Sequence, residues 1–515
     1  MGNVVKTIGN GCRIAWCWCV DLFKRAVVYC REKAKIYWKP FLILLIIHLA
    51  AMLPLILADG LYADDGARTY QMYGFSTTFA RHLEKYLSYF LWAGKKFPNI
   101  SPLPQLLAAV LNAVNALLAL RILTGKQKYK VWEYAAILPM ALSPYCMQCM
   151  SYQYDACFMS LSVTFCLVPF LFLREDGRGK LLPYGIASFV GMLCMLLIYQ
   201  VSWCVYPMLV AFLCLLYWNR GDSYKSIGKF LLISVISCVL ATLCFWLIYL
   251  ATGEEIAYAD PTLNLSFSFV LEKYETWFEI AYTSLLDQWV LLFVVLAVFF
   301  IIATIVSSKR QKWLAGIFSV LILGITFILS FGLYPWMSTT ANVIRYMLGV
   351  GIWMAFIAIL AVQLHRDVVA KIAAIALGWC LFVFQYIYGN VVEEQIEYGE
   401  SIEQAVIDDL NELDLDYASG QIESQYEGGI GTAPVVYKLS DEMRTAIQNI
   451  SVKFFVTVQP PWDSATCEID ILFNMTRASE DLTEMDLPLV VETYYYNIYA
   501  DDTHVLIEYV NHLSS

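Results

Sequence analysis

Charge is what this sequence has least of. Of its 515 residues only 15% are Asp, Glu, Lys or Arg, against roughly one quarter in soluble domains. That shortfall excludes an ordinary soluble fold. A disulfide framework is missing too. Most of the 15 cysteines lie in or beside apolar runs, among them Cys146, Cys149, Cys157, Cys166, Cys194, Cys204, Cys238, Cys244 and Cys380, where they read as small hydrophobes. Cys467 stands alone in 391–515, so that stretch holds no internal disulfide. Cys12, Cys17, Cys19 and Cys30 lack the companion pair or histidines of a zinc site. There is no Walker A sequence, no Rossmann glycine pattern after a strand, no HExxH and no EF-hand pattern. No cleavable signal peptide is expected: a mixed segment precedes the first apolar run, and no small-residue cleavage site follows it.

What is there is hydrophobicity. Apolar residues make up 59% of the chain, and mean hydropathy is +0.59. Several runs exceed the roughly 18 apolar residues of a membrane span. The sequence predicts an all-α polytopic membrane protein with eleven spans, near 41–58, 102–123, 132–150, 156–173, 181–199, 203–218, 229–251, 288–307, 313–333, 346–364 and 369–389. Residues 1–40 hold eight Lys or Arg against Asp21 and Glu32, with aromatics interleaved. They read as a cytoplasmic amphipathic segment.

Positive charge then alternates. Lys126/Lys128/Lys130, Arg174/Arg178/Lys180, Arg220/Lys225/Lys229, Lys309/Arg310/Lys312 and Arg366/Lys371 fall in every second loop. The loops between carry none, or only Lys273 or Arg345, except the first. Cytoplasmic loops attract the cations. This places the N-terminus in the cytoplasm and the first loop, 59–101, outside, together with 391–515, in a cell membrane. The net charge of −10 is split unevenly: 391–515 has 25 acids against four cations, so the rest of the chain is +11. With basic residues committed to topology, no nucleic-acid partner is expected.

The first outer loop is too long for a turn. Phe79, Leu83, Tyr86, Leu87, Phe90 and Leu91 form one helical face, with Arg81, His82, Glu84, Lys85 and Ser88 on others. An amphipathic helix on the outer leaflet is expected, with Lys95 and Lys96 at headgroup level. The tail predicts a small extracytoplasmic α+β domain. It opens with a helix over Ser401–Leu413 and a short helix is possible at 441–449. Strands are expected at 433–439, 452–459, 466–475, 489–499 and 505–510.

The chemistry concentrates just after the first span, in Tyr62-Ala63-Asp64-Asp65-Gly66-Ala67-Arg68. Two carboxylates at a membrane mouth are costly unless they meet water, a cation or a partner. Either can accept a proton from an attacking hydroxyl, and one can instead hold a divalent cation. Arg68, one turn on, holds an anion or closes a local ion pair. Asp155, in Ser151-Tyr152-Gln153-Tyr154-Asp155, falls on the same membrane face; it is a site carboxylate or a helix N-cap. Tyr152 and Tyr154 can stack on a sugar, and Gln200 can bond a hydroxyl. Arg345 contacts phosphate or snorkels.

These residues, in this order, resemble the type II O-antigen glucosyltransferase-like membrane proteins of the GT-C class. Asp64-Asp65, Arg68 and Arg81 follow span one. Pro102-Leu103-Pro104-Gln105-Leu106-Leu107 opens span two. Tyr154-Asp155 opens span four, Tyr199-Gln200 closes span five, and Arg345 precedes span ten. The chain departs from the pattern at Asn99-Ile100-Ser101, where an acidic residue is common. The resemblance covers about 41–390 and implies a GT-C-like fold. It also implies transfer of a hexose, often glucose, from a polyprenyl-phosphate carrier to a cell-surface glycan. Asp64 or Asp65 would be the base, Asp65 being favoured, and Arg68, Arg81 and Arg345 would hold the donor phosphate. Tyr154, Asp155 and Gln200 would line the sugar site. The class has metal-dependent and metal-independent members, so a requirement for Mg or Mn stays open. The alternative is a transporter or flippase of a lipid-linked or anionic substrate, although no clear inverted repeat supports it.

Overall fold

A computed structural model describes residues 35–62, 64–74, 79–173, 181–252, 259–340, 343–364, 367–442 and 468–510. Residues 1–34 of the basic segment expected over 1–40, residues 443–449 of the helix expected at 441–449 and the strand expected at 452–459 lie outside them, while residues 35–40 already belong to the first helix.

The chain is mostly helical. Eight helices are long and apolar enough to cross a membrane among the described residues. Six are α1 (Lys35–Ala58), α4 (Leu103–Thr124), α11 (Tyr224–Thr252), α13 (Asp287–Ser307), α14 (Lys312–Ser330) and α16 (Val368–Glu412). The other two, Gln200–Arg220 and Ile344–Ala361, begin with a 3-10 turn and continue as α10 (Val205–Arg220) and α15 (Leu348–Ala361). The remaining three expected spans coincide with shorter apolar helices, Val131–Leu142, Ala156–Phe172 and Leu181–Leu196. The run expected as one span over 132–150 is broken into α5 (Val131–Ile137), α6 (Pro139–Leu142) and α7 (Pro144–Ser151). Pro139 and Pro144 explain the breaks, since each removes a backbone donor. The first loop holds α2 (Asp65–Gln71) and α3 (His82–Leu91). The α8 (Ala156–Leu167) and α9 (Leu181–Leu196) helices complete the first half, and α12 (Phe267–Thr283) lies before α13.

The α15 helix is the hub: all its residues but Trp353 are buried, and it packs on α4 to α7, α13 and α14. Lipid is as apolar as leucine, so close backbone approach holds such helices together. Gly349 shows it, because a Cβ there would stand 2.1 Å from the Ser330 carbonyl oxygen and 2.6 Å from Cys204 Sγ.

Loops expected on one face meet each other. Lys126 Nζ bonds Gln363 Oε1 at 2.7 Å, and Arg310 donates to the carbonyls of Trp218 and Asp222. At the other set, Gln200 donates to the Phe79 carbonyl, Arg68 meets Asp155, and β1 (Ala259–Leu263) pairs with β2 (Met337–Thr340).

The last span does not stop at the tail. The α16 helix runs unbroken for 45 residues, about 68 Å, more than twice the roughly 30 Å of hydrocarbon. Its buried seam explains this. Leu381, Phe384 and Tyr388 face the membrane bundle, and Val391, Val392 and Gln395 continue the line; Ile402, Val406 and Leu410 then face the tail. The expected helix at 401–413 is therefore the far end of that span.

The tail is α+β, as expected. Its sheet runs β4-β3-β7-β6-β5, with β3 (Glu423–Glu427), β4 (Thr476–Arg477), β5 (Leu489–Glu492), β6 (Tyr496–Ala500) and β7 (His504–Tyr509). The β3 strand is parallel to β4 and β7; the rest pair antiparallel. Two strands were misassigned by pattern. The stretch 433–439 is the helix α17 (Pro434–Glu442), docked by buried Val436 and by the Ala433 amide donating to Gln395. The stretch 466–475 becomes the helix α18 (Glu468–Leu472), with Ile469 and Phe473 buried and Ile471 and Leu472 exposed. That spacing is helical, not alternating. The strand expected at 489–499 folds back as the β5–β6 hairpin.

Candidate functional site

The acidic loop turns at once into α2, where the Asp65 amide donates to the Tyr62 carbonyl. One helical turn puts Asp65 and Arg68 on the same side, and both are buried. Asp64, at the helix start, is exposed. The adjacent carboxylates therefore have different surroundings.

Asp65 is 0% exposed. Its Oδ2 accepts the Gln153 amide at 2.7 Å, and its Oδ1 has no partner among the described residues. Burial pushes its pKa well above the usual carboxylate value, against the pull of Arg68. The Asp64 side chain meets solvent, yet protein crowds it closely enough to desolvate it in part. That crowding raises its pKa, while Arg345, Arg68 and Arg81 act to lower it.

Arg68 reaches from the first loop to the start of α8. Its guanidinium donates to Asp155 Oδ1 at 2.8 Å, with both side chains nearly inaccessible. It also lies 4.4 Å from the Tyr154 ring centre. Arg81 approaches the same carboxylate, 3.9 Å from Asp155 Oδ2, and pairs with Glu84 at 3.5 Å. Arg81 also lies over Phe79 and Tyr199. Arg345 bonds the Tyr152 hydroxyl and lies 5.0 Å from that ring's centre. Its amide donates to Gln148 Oε1 at 2.6 Å, and Gln148 donates to the Tyr62 hydroxyl. Three guanidiniums thus gather near the loop acids, Arg68 and Arg81 on Asp155 and Arg345 acting on Asp64.

Of the expected residues, Asp65, Arg68, Arg81, Tyr154 and Asp155 form one contact network, and Asp64 and Arg345 share its electrostatics. Gln200 serves instead as a staple, its amide donating to the Phe79 carbonyl at 3.0 Å. Tyr154 is 1% exposed and stacked on Trp92 at 5.8 Å, so it has no open ring face for a sugar.

Glu84 was missed as a site residue because the pattern put it on a polar, outward face. In the structure Glu84 and Ser88 are buried, while Tyr86 is 67% and Phe90 86% exposed. The α3 helix turns its polar edge toward the arginines and its aromatic edge outward. Burial pushes the Glu84 pKa up to about 7, against the pull of Arg81. Gln148, inside the broken span, and Gln153, in the turn after it, were missed as well, because an isolated Gln carries no distinguishing signal. The departure at Asn99-Ile100-Ser101 has a structural role: Asn99 donates to Gln153 Oε1 at 2.7 Å, and Ser101 to Asp59 Oδ1 at 2.9 Å.

A divalent cation finds poor accommodation. Asp155 turns both oxygens to guanidiniums, and one oxygen of Asp65 is taken by a backbone amide. Among the described residues no group of three or more His, Cys, Asp or Glu is placed to hold a metal ion.

The family model described as Glucosyl transferase GtrII matches residues 53–361. No curated protein and no solved structure gives a significant match.

Proposed function

Since the chain belongs to the Glucosyl transferase GtrII family, we propose that it is a multi-pass membrane glycosyltransferase acting on the extracytoplasmic face. It takes glucose or another hexose from a polyprenyl-phosphate carrier and passes it to a cell-surface glycan. The carrying observation is one exposed carboxylate, Asp64, that feels the charge of Arg345, Arg68 and Arg81, the last two of which gather on Asp155.

In this reading Asp64 takes the proton of the acceptor hydroxyl. The acceptor oxygen bonds the anomeric carbon as the bond from that carbon to the phosphate oxygen breaks. The electron pair leaves with the polyprenyl phosphate, and Arg68, Arg81 and Arg345 stabilise its added charge. Asp65 is a positioning residue: it ties α2 to the Gln153 turn and so aims Asp64. Asp155 holds Arg68 and Arg81. No step is routed through Mg or Mn. On the same reading the outward aromatic edge of α3 meets lipid, where the carrier's tail would pass.

The test is transfer of labelled sugar from polyprenyl-phosphate-hexose by the purified protein in lipid, with and without EDTA. Transfer that survives EDTA and is lost in Asp64→Asn supports the reading. Full activity in Asp64→Asn overturns the base assignment. No transfer, with movement of the lipid across the bilayer, overturns the enzyme reading in favour of a flippase.

A further inference from the structure

The β5–β6 hairpin carries aromatics where turns seldom do. Its turn is closed by Thr493 and Tyr496, with the Thr493 amide donating to the Tyr496 carbonyl at 3.0 Å. The two positions between them are Tyr494 and Tyr495, 64% and 42% exposed. Such positions favour Gly, Asn or Asp. Tyr494 buries little on folding and Tyr495 is half-buried against its two tyrosine neighbours, so folding gives little reason for an aromatic at the first position.

Their arrangement is defined. The Tyr494 and Tyr495 rings stand perpendicular, 5.2 Å between centres. Tyr495 meets Tyr398 of α16 edge-on at 6.2 Å. Glu492 is exposed just before the turn, and Glu394 and Glu397 are exposed beside Tyr398. Exposed rings with carboxylates close by in the chain suit a sugar, which offers C–H faces to rings and hydroxyls to carboxylates.

A bilayer is the competing occupant, since tyrosine also favours headgroups. Height and charge argue against it. The apolar part of α16 ends near Gly389, and Tyr398 stands nine residues beyond. That is roughly 13 Å, past a headgroup layer about 5–8 Å thick on each side. The flanking glutamates would also repel anionic lipid.

We propose that Tyr494, Tyr495 and Tyr398 form a binding platform for the acceptor glycan, a surface polysaccharide chain. This rests on the transferase reading above and names where its acceptor is held. The same helix links platform to acidic loop. Ile396, two residues before Tyr398, packs where a Cβ on Gly60 would come within 1.8 Å of its Cδ1. Gly60 lies four residues before Asp64. A glycan lying across the tyrosines crosses the helix that braces the acidic loop.

The experiment uses the full chain in lipid nanodiscs and oligosaccharides released from the surface polysaccharide of the cells that make the protein. Binding is read by saturation-transfer NMR and titration. The Tyr494→Ala/Tyr495→Ala variant should bind roughly tenfold or more weakly, and Tyr494→Phe/Tyr495→Phe should bind as the parent does. Melting temperature should fall only slightly, because Tyr494 is mostly exposed and Tyr495 half-buried. Equal binding by the alanine variant, or no binding by the parent, overturns the platform. So does a loss confined to vesicle association. Binding is measured without donor, so failure of the transfer chemistry in Asp64→Asn is read separately. If transfer occurs, the alanine variant should raise KM for acceptor and leave cleavage of donor by water unchanged.

Discussion

Arg68 and Asp155, 87 residues apart in sequence, form a 2.8 Å ion pair with both side chains nearly inaccessible. The pair fastens the first loop to the start of α8 and sets the position of Asp64. Removing one partner leaves a buried charge uncompensated, which costs about 3–5 kcal/mol. Asp155→Asn and Arg68→Met should each lower the melting temperature in detergent and abolish transfer. The Arg68→Met/Asp155→Leu double variant should recover much of the stability and none of the transfer. Recovery of both would reduce the pair to a strut.

The two loop carboxylates should separate in their effects. Asp65→Ala leaves the buried Gln153 amide without its 2.7 Å partner, at a cost of about 1–3 kcal/mol. Asp64→Asn touches an exposed side chain and should leave melting unchanged while removing transfer. Thermal unfolding beside a transfer assay distinguishes them; identical stability losses would contradict the division of roles.

Arg345 has Tyr152 as its fixed partner and no carboxylate at ion-pair distance among the described residues. It is thus the guanidinium most available to a phosphate. Arg345→Gln should reduce kcat/KM by roughly 10²–10³ without altering membrane insertion. A loss below tenfold would remove it from the site.

Glu84 gives a pH signature. Its ordinary pKa of 4.5 rises to about 7 in the fold, so the folded state holds the proton more tightly than the unfolded one. The neutral carboxyl's contribution to stability is complete below about 4.5 and is lost as pH rises to about 7, by on the order of 3 kcal/mol. Ionised Glu84 also competes for Arg81. Transfer and melting temperature should both decline from pH 6 to pH 8 in the parent protein and stay flatter in Glu84→Gln. A parent and variant with the same profile would show that Glu84 does not titrate there.

Helix packing can be tested at two glycines. Gly349→Ala sets a methyl 2.1 Å from a backbone oxygen of α14 and should cost about 1–3 kcal/mol. Gly324→Ala meets nothing within 4 Å and should be neutral or slightly stabilising. Equal melting temperatures for the two would refute the close approach of α14 and α15.

Membrane class, the apolar segments and the acidic pair were legible in the sequence. Each rests on local hydropathy, or on one charged motif beside a span, and burial elsewhere cannot erase either. The tail's helix–sheet character was partly legible for the same reason. Its first two describable strands were not, because a short apolar run such as Pro434-Val435-Val436-Tyr437 fits either period until a partner surface selects one. Only the tertiary structure decided which member of Asp64-Asp65 meets solvent, since neighbours in sequence take opposite surroundings once α2 begins. It also decided that α3 turns Glu84 and Ser88 inward. The usual rule inverts in this helix: the aromatic edge faces out, and the polar edge finds its partners inside the protein. The charge network needed Arg68 to meet Asp155 across 87 residues, a distance over which periodicity carries no information and packing alone fixes the contact.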